Sequence, residues 1–281
     1  MTADARCWRV LFGLALVTLG CQDPDPHPPL AAPCAANQRC SLGIGQVGSP
    51  PVSTGGNGAG GGATGGSAGA GAGVLHGTVV DLIDDTFVSS FPFGDLATIE
   101  AQASSGALVS ASWNGRDPFL LSGVESAALA WVSVRANSGT TNLRTLHPIA
   151  TTIERSVDLG LAQTAVIEGI LGGLSVPAQR ALGSAQIVLV FTVTSGASRV
   201  GAAGVSVQLA DSQVVAYQDG SFWSSDAAGT GVSGLAIVGN VPAVAFPGTS
   251  KRVVLGGTSS GFIDVRVAAD AVSLVSVPLS P

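Results

Sequence analysis

The chain predicts a mainly β fold: two β-sandwich domains joined by one or two short helices, after a disordered N-terminal tether. Three observations carry this. Short segments alternate apolar and polar residues, as in 96–101, 107–112 and 130–135. Turn residues separate them, among them Asn114-Gly115, Asp219-Gly220 and Gly239-Asn240. Alternation bounded by such turns is the mark of half-buried strands in a sandwich or barrel. Third, residues 55–73 hold eleven glycines in nineteen positions, too few side chains to build a core.

The first element is an export signal. Arg6 and Arg9 precede an apolar run over 10–19, and small Gly20 stands before Cys21. A basic start, an apolar stretch and a small residue at the cut define a secretory signal. The run is about ten residues, and a membrane-spanning helix needs roughly 20. Thr18-Leu19-Gly20-Cys21 resembles the lipobox of bacterial lipoproteins. The resemblance implies removal of residues 1–20, acylation of Cys21 and retention by a lipid bilayer. The implied location is the cell envelope, as an outer-membrane lipoprotein facing the periplasm or the surface.

Residues 21–73 form the expected tether. Seven of the fifteen prolines lie in 22–51. A random coil of this length spans roughly 40 Å. Cys34 and Cys40 lie close together and are expected to form a local disulfide in an oxidising compartment. Two glycine-rich matches within the tether, to a dinucleotide loop and to a nucleophile elbow, lack the strand and helix such motifs require.

The first sandwich domain is expected over 74–146. Its strands are 74–80, 96–101, 107–112 and 130–135. Trp131 alternates within the last and is expected in the core. Residues 147–182 are expected to be a helical connector. Ile149, Ile153, Val157, Leu161 and Ala165 recur every four residues, Pro148 suits a first turn and Gly172-Gly173 an end. The second sandwich occupies 183–281, with strands 186–194, 205–209, 214–217, 235–238, 252–255, 262–267 and 272–277.

Two stretches resemble carboxypeptidase-regulatory-like, or transthyretin-like, β-sandwich modules. Gly77-Thr78-Val79-Val80-Asp81 is similar to the family's opening strand. The hairpin from Asn114 to Val124 and the strand Val132-Ser133-Val134-Arg135-Ala136 are similar to its continuation. The resemblance implies a non-catalytic accessory role and supplies no catalytic residues.

Composition excludes several chemistries. The formal net charge is −6, with twelve basic residues and no basic run, so nucleic acid is not expected as a partner. The body beyond residue 73 has no cysteine, one lysine and two histidines, His76 and His147, so proton-transfer groups are scarce. No catalytic residue and no cofactor are expected. No metal site is expected; Asp81, Asp84 and Asp85 are the best of the weak candidates, since oxygen ligands of this kind suit Ca²⁺, but a solvated acidic loop is the preferred reading, and the group Asp211, Asp219 and Asp226 is more scattered still. Trp113, Trp223, Phe91 and Phe93 lie in turn-rich segments and are candidate ligand-binding aromatics, with core packing as the alternative. The expected function is binding, adhesion or scaffolding, with a glycan or envelope protein as partner. The alternatives are a glycan-binding module using the loop aromatics, and a cell-envelope hydrolase.

Overall fold

The computed structural model describes residues 72–102, 107–125, 129–138, 141–150, 154–176 and 183–280. The signal segment, Cys21, Cys34, Cys40 and the tether as far as residue 71 lie outside the described residues. The protein is mainly β. The first half carries β1 (Ala72–Leu82), β2 (Ser90–Pro92), β3 (Ala97–Gln102), β4 (Leu108–Trp113), β5 (Phe119–Glu125), β6 (Leu129–Ala136), β7 (Arg144–Ala150) and β8 (Glu154–Ala162). A single helix among the described residues, α1 (Thr164–Gly173), follows. The second half carries β9 (Ser184–Ser195), β10 (Ser198–Gly201), β11 (Val205–Gln208), β12 (Val214–Asp219), β13 (Phe222–Ser224), β14 (Leu235–Pro242), β15 (Thr249–Gly257), β16 (Gly261–Val267) and β17 (Ala271–Leu279).

These strands form three sheets. A small sheet runs β2-β1-β5, with β8 parallel to β1 on its other side. A ten-stranded sheet runs β13-β12-β14-β9-β17-β7-β6-β3-β4, with β10 also paired to β9. A third sheet runs β11-β15-β16. The halves expected as separate domains therefore share the long sheet. The seam is the parallel pairing of β17 with β7, Ala271 to Arg144, Val272 to Thr145 and Ser273 to Leu146.

Three apolar cores follow from the alternation. In the first half Leu75, Ile99, Phe119, Leu121, Val132 and Leu159 pack between the small sheet and the β7-β6-β3-β4 part of the long sheet. In the second half Ile187, Phe191, Val253, Val265, Val275 and Val277 pack between the third sheet and the β12-β14-β9-β17 part. On the opposite face of that same part, Ile167, Leu171, Val188, Ile237 and Leu274 meet Phe87 from the β1–β2 loop. Here β14 and β17 have both faces covered, so they read as nearly continuous buried runs rather than alternations.

The helical connector expected over 147–182 is corrected. Ile149 lies on β7, and Val157 and Leu161 lie on β8. A spacing of four is close to one helical turn, but it is also two full pleats of a strand, so it separates neither. The deciding detail is Leu159, which is buried between Val157 and Leu161 while Ser156 is exposed and Asp158 only half-buried. Among the described residues only 164–173 is helical, and the Gly172-Gly173 end is where the sequence placed it. The tether also ends slightly earlier than expected. Ala72 and Gly73 already pair with Glu125 and Val124 in β1. Gly77 is required where β8 passes, because a Cβ there would overlap the Val157 carbonyl.

Candidate functional site

The four aromatics singled out from the sequence separate cleanly. Trp113 is 2% exposed, and its Nε1 donates to the Phe93 carbonyl at 2.9 Å. Phe93 is 7% exposed and joins the same core. Both are packing residues, which corrects their candidacy as ligand contacts. Trp113 ends an alternating strand on its inward side, so parity placed it inside. Trp223 is half-buried against the core around α1, and its Nε1 donates to Asp85 Oδ2 at 3.2 Å. Phe91, on short edge strand β2, is 62% exposed.

The acidic loop does not converge. Asp81 accepts from Asn142 Nδ2 and Gln163 Nε2, each at 2.7 Å. Asp84 accepts from the Thr86 hydroxyl at 2.6 Å and the Thr86 amide at 3.1 Å. Partial burial opposes its charge, yet hydrogen bonds from Ser89 and Thr86 outweigh that and hold its carboxyl below the usual range. Asp85 faces Trp223 and Gln218 in the second half. Each carboxylate serves a different structural network. Among the described residues no group of three His, Cys, Asp or Glu side chains is placed to hold a metal ion.

His147 is fully buried beneath the small sheet. Its Nε2 lies 2.8 Å from the Gly160 carbonyl, so Nε2 carries the proton and donates. Nδ1 has no partner. Burial pushes the imidazole down to about 4, against a smaller upward effect of the Gly160 bond. A catalytic base needs a hydroxyl or water to act on. This ring instead has one nitrogen on a backbone carbonyl and the other in an apolar interior.

The surface that gathers chemistry is one sequence reading missed. Ala97, Ile99 and Ala101 of β3, and Ala130, Val132 and Val134 of β6, turn to the first core. By alternation Thr98, Glu100, Gln102, Trp131, Ser133 and Arg135 turn to the opposite face. On the second half that face is covered by the third sheet, whereas here no described strand lies over it: Arg135 is exposed, Glu100 and Arg144 are mostly buried against each other, and Ser133 is buried beneath them. Edge strand β4 adds exposed Ser110 and Ser112. From β7, Arg144 Nη1 donates to Glu100 Oε2 at 2.7 Å and to the Ser133 hydroxyl at 2.9 Å. Its guanidinium also lies 4.8 Å from the centre of the Phe246 ring.

A wall stands beside this floor. The Ser273 hydroxyl donates to the Arg266 carbonyl, which ties β16 to the seam strand β17. Arg266 Nη1 then reaches Gln102 Oε1 at 2.8 Å, and its Nε is buried without a partner. Trp131 sits at the foot of the wall, half-buried, against the edge of the second-half core and the Leu146, Ala268 and Ala271 cluster. It was expected inside the first core. Its parity is that of Ser133 and Arg135, and that shared polar face was the available signal.

No family model matches the chain, and no curated protein matches it. Among solved structures it is similar to GBS52, the minor pilin of Streptococcus agalactiae, with 10% identity over 74% of this chain and 95% of that one, at a TM-score of 0.25. It is similar to a streptococcal ancillary pilin, with 11% identity over 74% of this chain and 69% of that one, at 0.23. A cell adhesion protein assigned to Bacteroides eggerthii shares 10% identity over 77% of this chain and 89% of that one, at 0.23. Scores this low carry no residue correspondence.

Proposed function

We propose that this protein is a membrane-tethered envelope lipoprotein whose β body binds rather than catalyses, in an adhesion or scaffolding role. The tether reading rests on Thr18-Leu19-Gly20-Cys21, with acylated Cys21 as the attachment to the bilayer and the outer membrane as its place. Stable anchoring then takes more than one acyl chain, each methylene contributing about 0.8 kcal/mol. The likeness of the Gly77–Asp81 strand to carboxypeptidase-regulatory-like modules belongs to the same reading. The observation that carries the binding role is the polar face of the long sheet that no described strand covers, with exposed Arg135, Ser110 and Ser112 and half-buried Trp131 on a rigid framework. Rigid elements hold contact residues more closely than loops do. The hydrolase alternative has no observation in its favour.

Two measurements test this. Cys21→Ser is expected to move the protein from the membrane fraction to the soluble fraction; equal retention of both forms refutes the tether. For the binding role, Ser112→Cys places a thiol on the open face and Asp264→Cys places one on an exposed strand elsewhere. In cells, position 112 is expected to label with a maleimide several-fold more slowly than in the purified protein, while position 264 labels alike in both. Equal rates at 112 refute a bound partner on this face.

A further inference from the structure

The open face is cationic on an acidic chain. Its charged groups are Arg135, Arg144 and Glu100, with Arg266 reaching in from β16. The chain as a whole carries a formal charge of −6. Among the described residues Glu100 is the acid on these strands, and it is engaged by Arg144. The nearest further acid by register, Asp270, stands in the β16–β17 turn beside Ala271, the partner of Arg144. Arg135 is exposed and makes no ion pair among the described residues. Arg266 satisfies Gln102 with one nitrogen and leaves its Nε unpartnered.

The other groups on the face are hydroxyls and amides. Ser110, Ser112 and Thr98 lie on adjacent strands, with Thr98 bonded to Asn137 at 2.6 Å. Apolar anchors are few, chiefly Trp131 at the wall and Leu108 at the edge. A protein partner of useful affinity seats buried aromatic or aliphatic anchors in pockets. These strands offer hydrogen bonds instead. An indole beside arginines and hydroxyls matches a ring with an apolar face, hydroxyl edges and a carboxylate.

We propose that this face binds an acidic polysaccharide of the uronic-acid class. A carboxylate pairs with exposed Arg135, hydroxyls meet Ser110 and Ser112, and a sugar ring lies against Trp131. The proposal rests on the binding role above and names its ligand.

The test uses the full-length protein purified in detergent, with polygalacturonate, uncharged dextran, dextran sulfate and polyglutamate as probes. Polygalacturonate is expected to bind, more weakly as salt rises, and dextran is not. Arg135→Gln is expected to weaken polygalacturonate binding about tenfold, the loss of one charge-assisted hydrogen bond. Trp131→Ala weakens it comparably, and Glu100→Gln strengthens it by freeing Arg144. Should Trp131→Ala fail to fold, the Arg135 and Glu100 variants decide alone. Absence of polygalacturonate binding overturns the proposal. So does equal binding of polyglutamate or dextran sulfate, because that is ion exchange without sugar recognition. If position 112 stays protected in cells while polygalacturonate fails, the ligand class falls and the binding role stands. If both fail, the binding role falls too.

Discussion

At the scale of single residues, His147 makes the stability of the body depend on acid. Its imidazole titrates near 4 in the folded protein because it is buried, against 6.5 for an exposed ring. The unfolded chain therefore binds the proton more readily than the folded one. Stability is full above pH 6.5 and is lost as pH falls from there toward 4. The full loss is on the order of a few kcal/mol. Urea midpoints measured from pH 7 to pH 4 are expected to fall, and His147→Leu is expected to flatten that fall. A parallel decline in both proteins would place the acid sensitivity elsewhere. The same scale explains why Trp113 and Trp131 exchange the roles read from the sequence. Trp113 shares parity with Val109 and Ala111 and faces the first core, whereas Trp131 shares parity with Ser133 and Arg135 and faces out.

At the scale of elements, the β1–β2 loop acts as a latch between halves. Phe87 adopts a left-handed backbone conformation, with φ of 56°, and is fully buried among residues of α1, β14 and β17. A non-glycine residue there bears strain that its burial offsets. Two residues earlier, Asp85 accepts from Trp223 and Gln218, so the loop is held by an apolar plug and a polar clasp. Phe87→Ala is expected to destabilise the protein by about 3–5 kcal/mol, as for other fully buried phenylalanines. Trp223→Phe keeps the ring and loses one hydrogen bond, at about 1 kcal/mol. Chemical denaturation of the two variants checks the ratio. Similar losses would mean that the clasp, and not the plug, holds the loop.

At the scale of the whole molecule, the last strand is the central one. β17 lies between β9 and β7, and both of its neighbours run parallel to it. Parallel neighbours cannot be made by hairpins, so the long sheet closes only when the C-terminal residues arrive. Truncation after Asp270 is expected to remove the middle of the sheet and leave no cooperative unfolding of the second half. Circular dichroism and a thermal melt of the truncated chain measure this. A sharp transition at the full-length temperature would show the halves to be independent. The polar face proposed to bind exists at this scale alone, because it is the part of one sheet that the third sheet leaves uncovered.

Most strands were legible in the sequence, and the reason is local. Alternation records which side of a strand meets the core, and Gly, Asn and Asp mark the turns, so 96–101, 107–112, 130–135 and 214–217 lie within a residue or two of the observed elements. The mainly β class follows from those signals. Residues 149–161 were not legible, because a spacing of four satisfies both periods and only the pairing of β8 with β1 chooses between them. The short strands β2, β10 and β13 carry too few residues for a pattern. The three arginines and the tryptophan of the open face are separated by up to 135 positions, from Trp131 to Arg266, and no local signal joins them. Alternation tells which residues share a face; which face another sheet covers is set by contacts between strands far apart in the chain. That is why the strands could be read from the amino acids, while the uncovered polar face was decided by the tertiary structure.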